Sequence, residues 1–151
     1  LSQLSGLTLL DLGSCPLSGV ESLEKIMKLS NLEFLHIGNA NFSSTVPSTI
    51  GSLDKLSYLS LAVSKISGSI PSDVSNMGDL TELRLYGNDF TGTIPSVVWG
   101  MTGLKKLLLN WNDLQGSIPS DIGSLSMLVT LGLEDNDFSG TIPSNIASLD
   151  S

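Results

Sequence analysis

Five tripeptides, Val46-Pro-Ser, Ile70-Pro-Ser, Ile94-Pro-Ser, Ile118-Pro-Ser and Ile142-Pro-Ser, recur at a constant interval of 24 residues. The interval divides the chain into Leu29–Ser52, Leu53–Asn76, Met77–Gly100, Met101–Ser124 and Leu125–Ser148, preceded by a looser copy of 25 residues, Leu4–Lys28. Three residues remain at each end, so residues 1–151 read as one domain of six units. A fixed period of this size demands a solenoid in which each unit touches its neighbours. A unit alone does not fold: its roughly seven apolar side chains are worth ~1.5–3 kcal/mol each. Ordering its backbone costs ~1–2 kcal/mol per residue, so stacking has to close the gap.

Inside the unit, x-L-x-L-x alternates with period two and predicts a short strand whose leucines point inward. Stacked, these strands form a parallel sheet. A second extended segment follows, in which Leu17, Phe42, Ile66, Phe90, Leu114 and Phe138 form an apolar column. The Pro and Ser after it then open a single helical turn on the opposite side. The first unit differs. It lacks the Ile-Pro pair, and Leu23, Ile26 and Met27 fall at helical spacing, which predicts a short helix there.

The whole pattern, L-x-x-L-x-x-L-x-L-x-x-N-x-L-x-G-x-I-P-x-x-I-G-x, resembles the plant-type leucine-rich repeat. Proteins of that class include ectodomains of plant receptor-like kinases and receptor-like proteins, and polygalacturonase inhibitors. The resemblance covers Leu4–Ser148. It implies an α/β solenoid: a right-handed superhelix with a parallel concave sheet, short second strands, and 3-10 or short helices on the convex side. It also implies an Asn ladder after the first strand. Asn88, Asn112 and Asn136 hold that position, but Cys15, Ala40 and Ser64 replace it in the first three units. The N-terminal half is therefore expected to be looser, because its buried backbone groups need other partners.

Function by this resemblance is non-enzymatic recognition of a protein, peptide or glycan on the concave face, outside the cell or at its surface, with no cofactor. The alternative is a structural or surface-binding protein, for ice or glycan, using a Ser/Thr array or end-to-end assembly. Family members carry Cys-paired caps, and none is present here. The chain reads as a segment of a longer one, with Leu128, Leu131, Leu133, Phe138, Ile142 and Ile146 partly bare and open to end-to-end contacts. A net charge of −8 argues against nucleic acid as partner. No apolar run reaches the ~20 residues that span a bilayer, so a membrane is reached only through other segments. Cys15 is the single cysteine, which precludes an intrachain disulfide and is read as a structural thiol.

The outward strand positions form three columns: Leu9, Phe34, Tyr58, Glu82, Lys106, Thr130; then Asp11, His36, Ser60, Arg84, Leu108, Gly132; then Gly13, Gly38, Ala62, Tyr86, Asn110, Glu134. Phe34, Tyr58, Tyr86 and Trp111 face solvent by this reading. Exposed aromatics gathered on one face mark a contact surface. With His36, Glu82, Arg84, Lys106 and Asn110 they make the candidate binding site. Arg84, Lys105 and Lys106 lie close together in a chain with seven basic residues, which points to an acidic or carboxylate-bearing ligand; the alternative is that these residues pair with Glu82 and decorate a wet surface.

Three further constellations have plain alternatives. Asp11, His36 and Ser60 stand in triad order, but neighbouring strands alone bring such residues together, and no catalytic residue is assigned. Asp89, Asp113 and Asp137 follow the ladder position and are expected to stack. Solvation is the simple reading, and Ca²⁺ shared by Asp113 and Asp137, with Asp135 adding ligands, is the weak metal candidate. Ser43/Thr45, Ser67/Ser69, Thr91/Thr93, Gln115/Ser117 and Ser139/Thr141 form a hydroxyl array on the second segment, a polar solvent face or an ice- or glycan-binding one. Asn41-Phe-Ser43 is an acceptor for N-glycosylation, expected on the surface.

Overall fold

A computed structural model of the chain describes residues 4–15 and 20–149. The strands expected at x-L-x-L-x are β1 (Leu9–Asp11), β2 (Phe34–His36), β3 (Tyr58–Ser60), β5 (Glu82–Arg84), β7 (Lys106–Leu108) and β9 (Thr130–Gly132). They pair in parallel, in that order, as one six-stranded concave sheet. Its register follows the repeat: Phe34 lies beside Tyr58, Tyr58 beside Glu82, and Glu82 beside Lys106.

The second segment supplies β4 (Ser67–Gly68), β6 (Asp89–Thr93), β8 (Asp113–Ser117) and β10 (Asp137–Ser139), a second parallel sheet. Five short 3-10 helices, each starting just after a Pro, form the convex side: Ser48–Ser52, Ser72–Asn76, Ser96–Gly100, Ser120–Ser124 and Ser144–Ser148. In the first unit this place is taken by a helix, α1 (Val20–Ile26), as the spacing of Leu23, Ile26 and Met27 predicts.

The leucines between the sheets make one continuous core: Leu35, Leu59, Leu83 and Leu107 are buried completely or nearly so. Phe42, Ile66, Phe90 and Leu114 form the expected second apolar column. Phe138 is half-buried at its end, and Leu17 lies outside the described residues. At the C-terminal coil Leu131 and Leu133 are half-buried, while Ile142 is 74% exposed. Leu128, expected to be bare there, is buried, because it sits one step inside the coil and packs into the core. Cys15 is a half-buried free thiol.

The ladder holds the two sheets together. The Asn88 Nδ2 group donates to Leu61 O and Leu85 O, and its Oδ1 accepts from the N–H groups of Ser64 and Ile66. Asn112 and Asn136 repeat the scheme, accepting from Phe90 N–H and Leu114 N–H. Ser64 substitutes in part, donating through Oγ to Ile37 O at 3.2 Å. Ala40 has no side-chain group to contribute. The buried Ser44 hydroxyl has no hydrogen-bond partner among the described residues.

The ladder also sets a stagger that the period does not reveal. Each Asn Oδ1 reaches back to a residue 22 positions earlier, as in Asn112 to Phe90. The second sheet accordingly pairs Gly68 with Phe90, Gly92 with Leu114 and Phe138 with Gly116. Two expectations change as a result. Asp113 lies opposite Thr91 and Asp137 opposite Gln115, so the acidic side chains are not paired in register. The hydroxyl array is offset in the same way: Thr45 lies opposite Ser67 and Ser117 opposite Ser139, while Ser67 also faces Asp89 and Thr93 faces Gln115.

Candidate functional site

The concave sheet places its outward side chains about 4.8 Å apart from strand to strand. At that spacing aromatic rings stack. Phe34 and Tyr58 do so, with ring centroids 4.3 Å apart and planes inclined by 10°. Tyr86 and Trp111 meet edge to face at 6.2 Å and 74°. The four aromatics are thus two pairs, and pairing makes Phe34, Tyr58 and Tyr86 half-buried; Trp111 alone of the four remains 54% exposed.

Charged side chains lie against the first pair. The Arg84 guanidinium lies 5.2 Å from the centre of the Tyr58 ring, within cation–π range. Its Nε and Nη2 donate to Glu82 Oε2 at 3.1 and 2.7 Å. Lys106 Nζ reaches the other carboxylate oxygen at 3.2 Å. Partial burial by itself would raise the Glu82 pKa, but hydrogen bonds from Arg84 and Lys106 outweigh it and hold it below the ordinary value. Arg84 is correspondingly raised, chiefly by its hydrogen bond to Glu82. Both cations therefore have an internal partner, which weakens the case for a carboxylate ligand at Arg84 and Lys106.

At the N-terminal end, His36 Nδ1 lies 3.2 Å from Asp11 Oδ1. The ring occupies a slot left by glycine: a Cβ on Gly13 would stand 2.7 Å from His36 Cε1. Ser60 is buried rather than outward and open, because this small side chain sits in register between His36 and Arg84. No hydrogen bond joins it to the imidazole among the described residues, so the column holds an Asp–His pair without a hydroxyl nucleophile attached.

At the other end, Asn110 is 7% exposed, more buried than expected. A Cβ on the neighbouring Gly132 would stand 2.8 Å from its Oδ1, so glycine makes room for the amide. Arg84, Tyr86, Leu108, Asn110, Trp111 and Glu134 line a shallow, open cleft of about 360 Å³ here. The Trp111 indole N–H donates to Asp135 Oδ2 at 2.6 Å. Sequence columns contain Leu108 and Glu134, but nothing in them signals a cleft, so neither appears among the predicted site residues. Asp113, Asp135 and Asp137 are exposed, and no group of three or more His, Cys, Asp or Glu side chains among the described residues is arranged to hold a metal ion. Asn41 is exposed, and Ser43 Oγ donates to its Oδ1 at 2.9 Å.

Comparison with known proteins places this geometry. A family model described as a leucine-rich repeat region matches residues 1–114, and one for a single leucine-rich repeat matches residues 127–149. No match is found among curated proteins. Among solved structures, the ectodomain of the membrane receptor kinase GASSHO1/SCHENGEN3 from Arabidopsis thaliana, in complex with CASPARIAN STRIP INTEGRITY FACTOR 2, is 37% identical with a TM-score of 0.91; the match covers 96% of this chain and 17% of that one. The plant peptide hormone receptor RGFR1 in complex with RGF2 is 34% identical, TM-score 0.92, with 97% and 23% covered. The Arabidopsis receptor kinase HAESA, in complex with the peptide hormone IDA and the co-receptor SERK1, is 30% identical, TM-score 0.90, with 97% and 24% covered. The chain thus spans less than a quarter of each of these receptors. No helix among the described residues is long and apolar enough to cross a membrane.

Proposed function

The chain belongs to the leucine-rich repeat family, of the plant type, and from that premise we propose that it is an extracellular recognition module that binds an extended peptide or a protein segment along its concave face. The observation that carries the reading is the strip running from Phe34 through Tyr58, Arg84 and Tyr86 to Trp111. Its aromatic rings are held in two fixed pairs, with the Arg84 guanidinium over the Tyr58 ring of the first. Aromatic and Arg side chains dominate binding energy at interfaces. A strip already ordered by a sheet loses little conformational freedom on binding. The three receptors described above, whose structures contain bound peptides or protein partners, support the same direction.

The test is selection of a random-peptide phage library on the 151-residue chain, followed by calorimetric titration of a synthetic consensus peptide. The parent is expected to enrich a consensus. A variant carrying Arg84→Ala and Tyr86→Ala should keep the fold and lose ~2 kcal/mol or more of binding. Unchanged affinity in that variant, or no enrichment with the folded parent, overturns the proposal.

A further inference from the structure

The cleft at Arg84, Tyr86, Leu108, Asn110, Trp111 and Glu134 has three properties that together define what it accepts. The first is an unused amide. Asn110 is more than nine-tenths buried as a residue and its side chain makes no hydrogen bond to another described residue, but its amide still meets solvent. An amide offers both donors and an acceptor, and one held in place with its polar atoms open to solvent is available to a ligand. A peptide group offers the complementary pair.

The second is an imbalance of charge. Arg84 and Lys106 both lie on Glu82, at 2.7 and 3.2 Å. An anion entering the cleft has to compete with that carboxylate. Glu134, on the opposite wall, is exposed and has no ion-pair partner among the described residues. A cation therefore finds a free carboxylate where an anion finds occupied cations.

The third is aromatic. Trp111 presents much of its surface to solvent, and Tyr86 meets it edge to face. Its indole N–H is bound to the Asp135 carboxylate, which adds negative potential beside the ring. An electron-rich indole face is the preferred seat of an ammonium or guanidinium group.

We infer that this cleft takes an Arg or Lys side chain of a peptide ligand. Its alkyl stem lies on Leu108 and Trp111, its charge sits between the indole face and Glu134, and its backbone amide pairs with Asn110. The inference rests on concave-face recognition and adds the ligand's charge and anchor.

Three small probes test it: the N-acetyl, N-methylamide derivatives of arginine, glutamine and glutamate. Each is titrated into the 151-residue chain and followed by the Trp111 indole and Asn110 side-chain amide signals in ¹H–¹⁵N spectra, with Trp111→Phe assigning the indole. The arginine probe is expected to shift both signals saturably and to bind about 5-fold more tightly than the glutamine probe, the sum of a cation–π contact and one exposed ion pair. Glu134→Gln should remove the ion-pair share and cut that preference to about 2-fold, leaving the cation–π share, and Asn110→Ala should weaken both probes. Equal binding of the arginine and glutamine probes, or a preference that Glu134→Gln leaves undiminished, overturns the inference. Tighter binding of the glutamate probe also overturns it, by assigning the cleft to Arg84 and Lys106, and leaves peptide recognition intact. No shift with any probe removes the cleft as a subsite, while a consensus peptide from the phage selection would still establish the strip.

Discussion

Replacing Asn88 with Ala should destabilise the solenoid more than the same change at either other ladder position. The structure supplies the count. Asn88 Oδ1 is the acceptor for two N–H groups, Ser64 at 2.9 Å and Ile66 at 3.1 Å. Its Nδ2 donates to Leu61 O and Leu85 O, and Leu85 O keeps a second donor from Asn112. Truncation thus strands two amide hydrogens and one carbonyl in a buried place. At ~1–3 kcal/mol per stranded buried group, partly relieved by relaxation, the cost is about 4 kcal/mol. Asn112→Ala strands one amide, that of Phe90, because Leu85 O and Leu109 O each retain a neighbouring ladder Asn. About 2 kcal/mol is expected there. Asn136 binds Leu114 N–H and Leu133 O but is half-buried, so water takes over and the cost falls to about 1 kcal/mol.

Urea denaturation followed by circular dichroism gives the three values. The Asn88 variant should also melt lower by on the order of 10 °C. Amide exchange adds a local readout: Ile66 N–H should lose protection in the Asn88 variant and keep it in the Asn136 variant. Equal costs at Asn88 and Asn136, or a cost at Asn88 below that at Asn112, would refute the accounting by stranded groups.

Two further outcomes follow from single residues. Val63 holds a left-handed backbone, φ 54°, and is 45% exposed; a β-branched residue is poorly suited to that region, so Val63→Asn should stabilise by about 1 kcal/mol and raise the melting temperature by roughly 3 °C in calorimetry. Glu82 has its pKa lowered in the folded state, so the stability it contributes is present above the ordinary glutamate value of 4.5 and is lost as pH falls through the folded value. Glu82→Gln should therefore be destabilising at pH 7, and parent and variant should approach one another in urea midpoint as pH falls below 4.5 and through the lowered folded value; a gap that persists at low pH would mean that Glu82 acts through packing instead.

What the sequence makes legible here is whatever repeats. The interval of the Pro-Ser pairs locates every concave strand, every 3-10 turn and the inward leucines, and the break in the first unit locates α1. Positions within a column follow too, which is why Phe34 beside Tyr58 and Glu82 beside Lys106 are readable from the repeat alone. Lateral offset is not readable. The two-residue stagger of the second sheet comes from the reach of an Asn side chain to Phe90 or Leu114, and a period of 24 residues is compatible with any offset. Side-chain partnership is legible only as alternatives. The columns allow Arg84 and Lys106 either to stand open to a ligand or to pair with Glu82, and the structure selects the pairing. Burial of Asn110 depends on its neighbour being Gly132, a contact across strands that has no local signature.

The turn after each concave strand also explains why recognition can sit on this scaffold without weakening it. Ser14, Asn39, Val63, Gly87, Trp111 and Asp135 occupy one position of successive units, and all have positive φ. The left-handed turn is therefore a property of the coil, present whatever side chain occupies it. At Trp111 the turn is pinned on both sides: its N–H donates to Glu134 O at 3.0 Å and its carbonyl accepts from Asn88 N–H at 3.2 Å. Asn112, next in sequence, anchors the strand end to Leu109 O and Leu85 O. The ladder that carries stability in the C-terminal half thus also fixes the backbone from which Asn110 and Trp111 project. A residue at such a turn is free to vary in chemistry while its position is held, and Trp is costly there as Val is. Strain retained at an exposed aromatic, on a turn pinned on both sides and at the mouth of the cleft beside Asn110, is what the proposed binding role accounts for and stability alone does not.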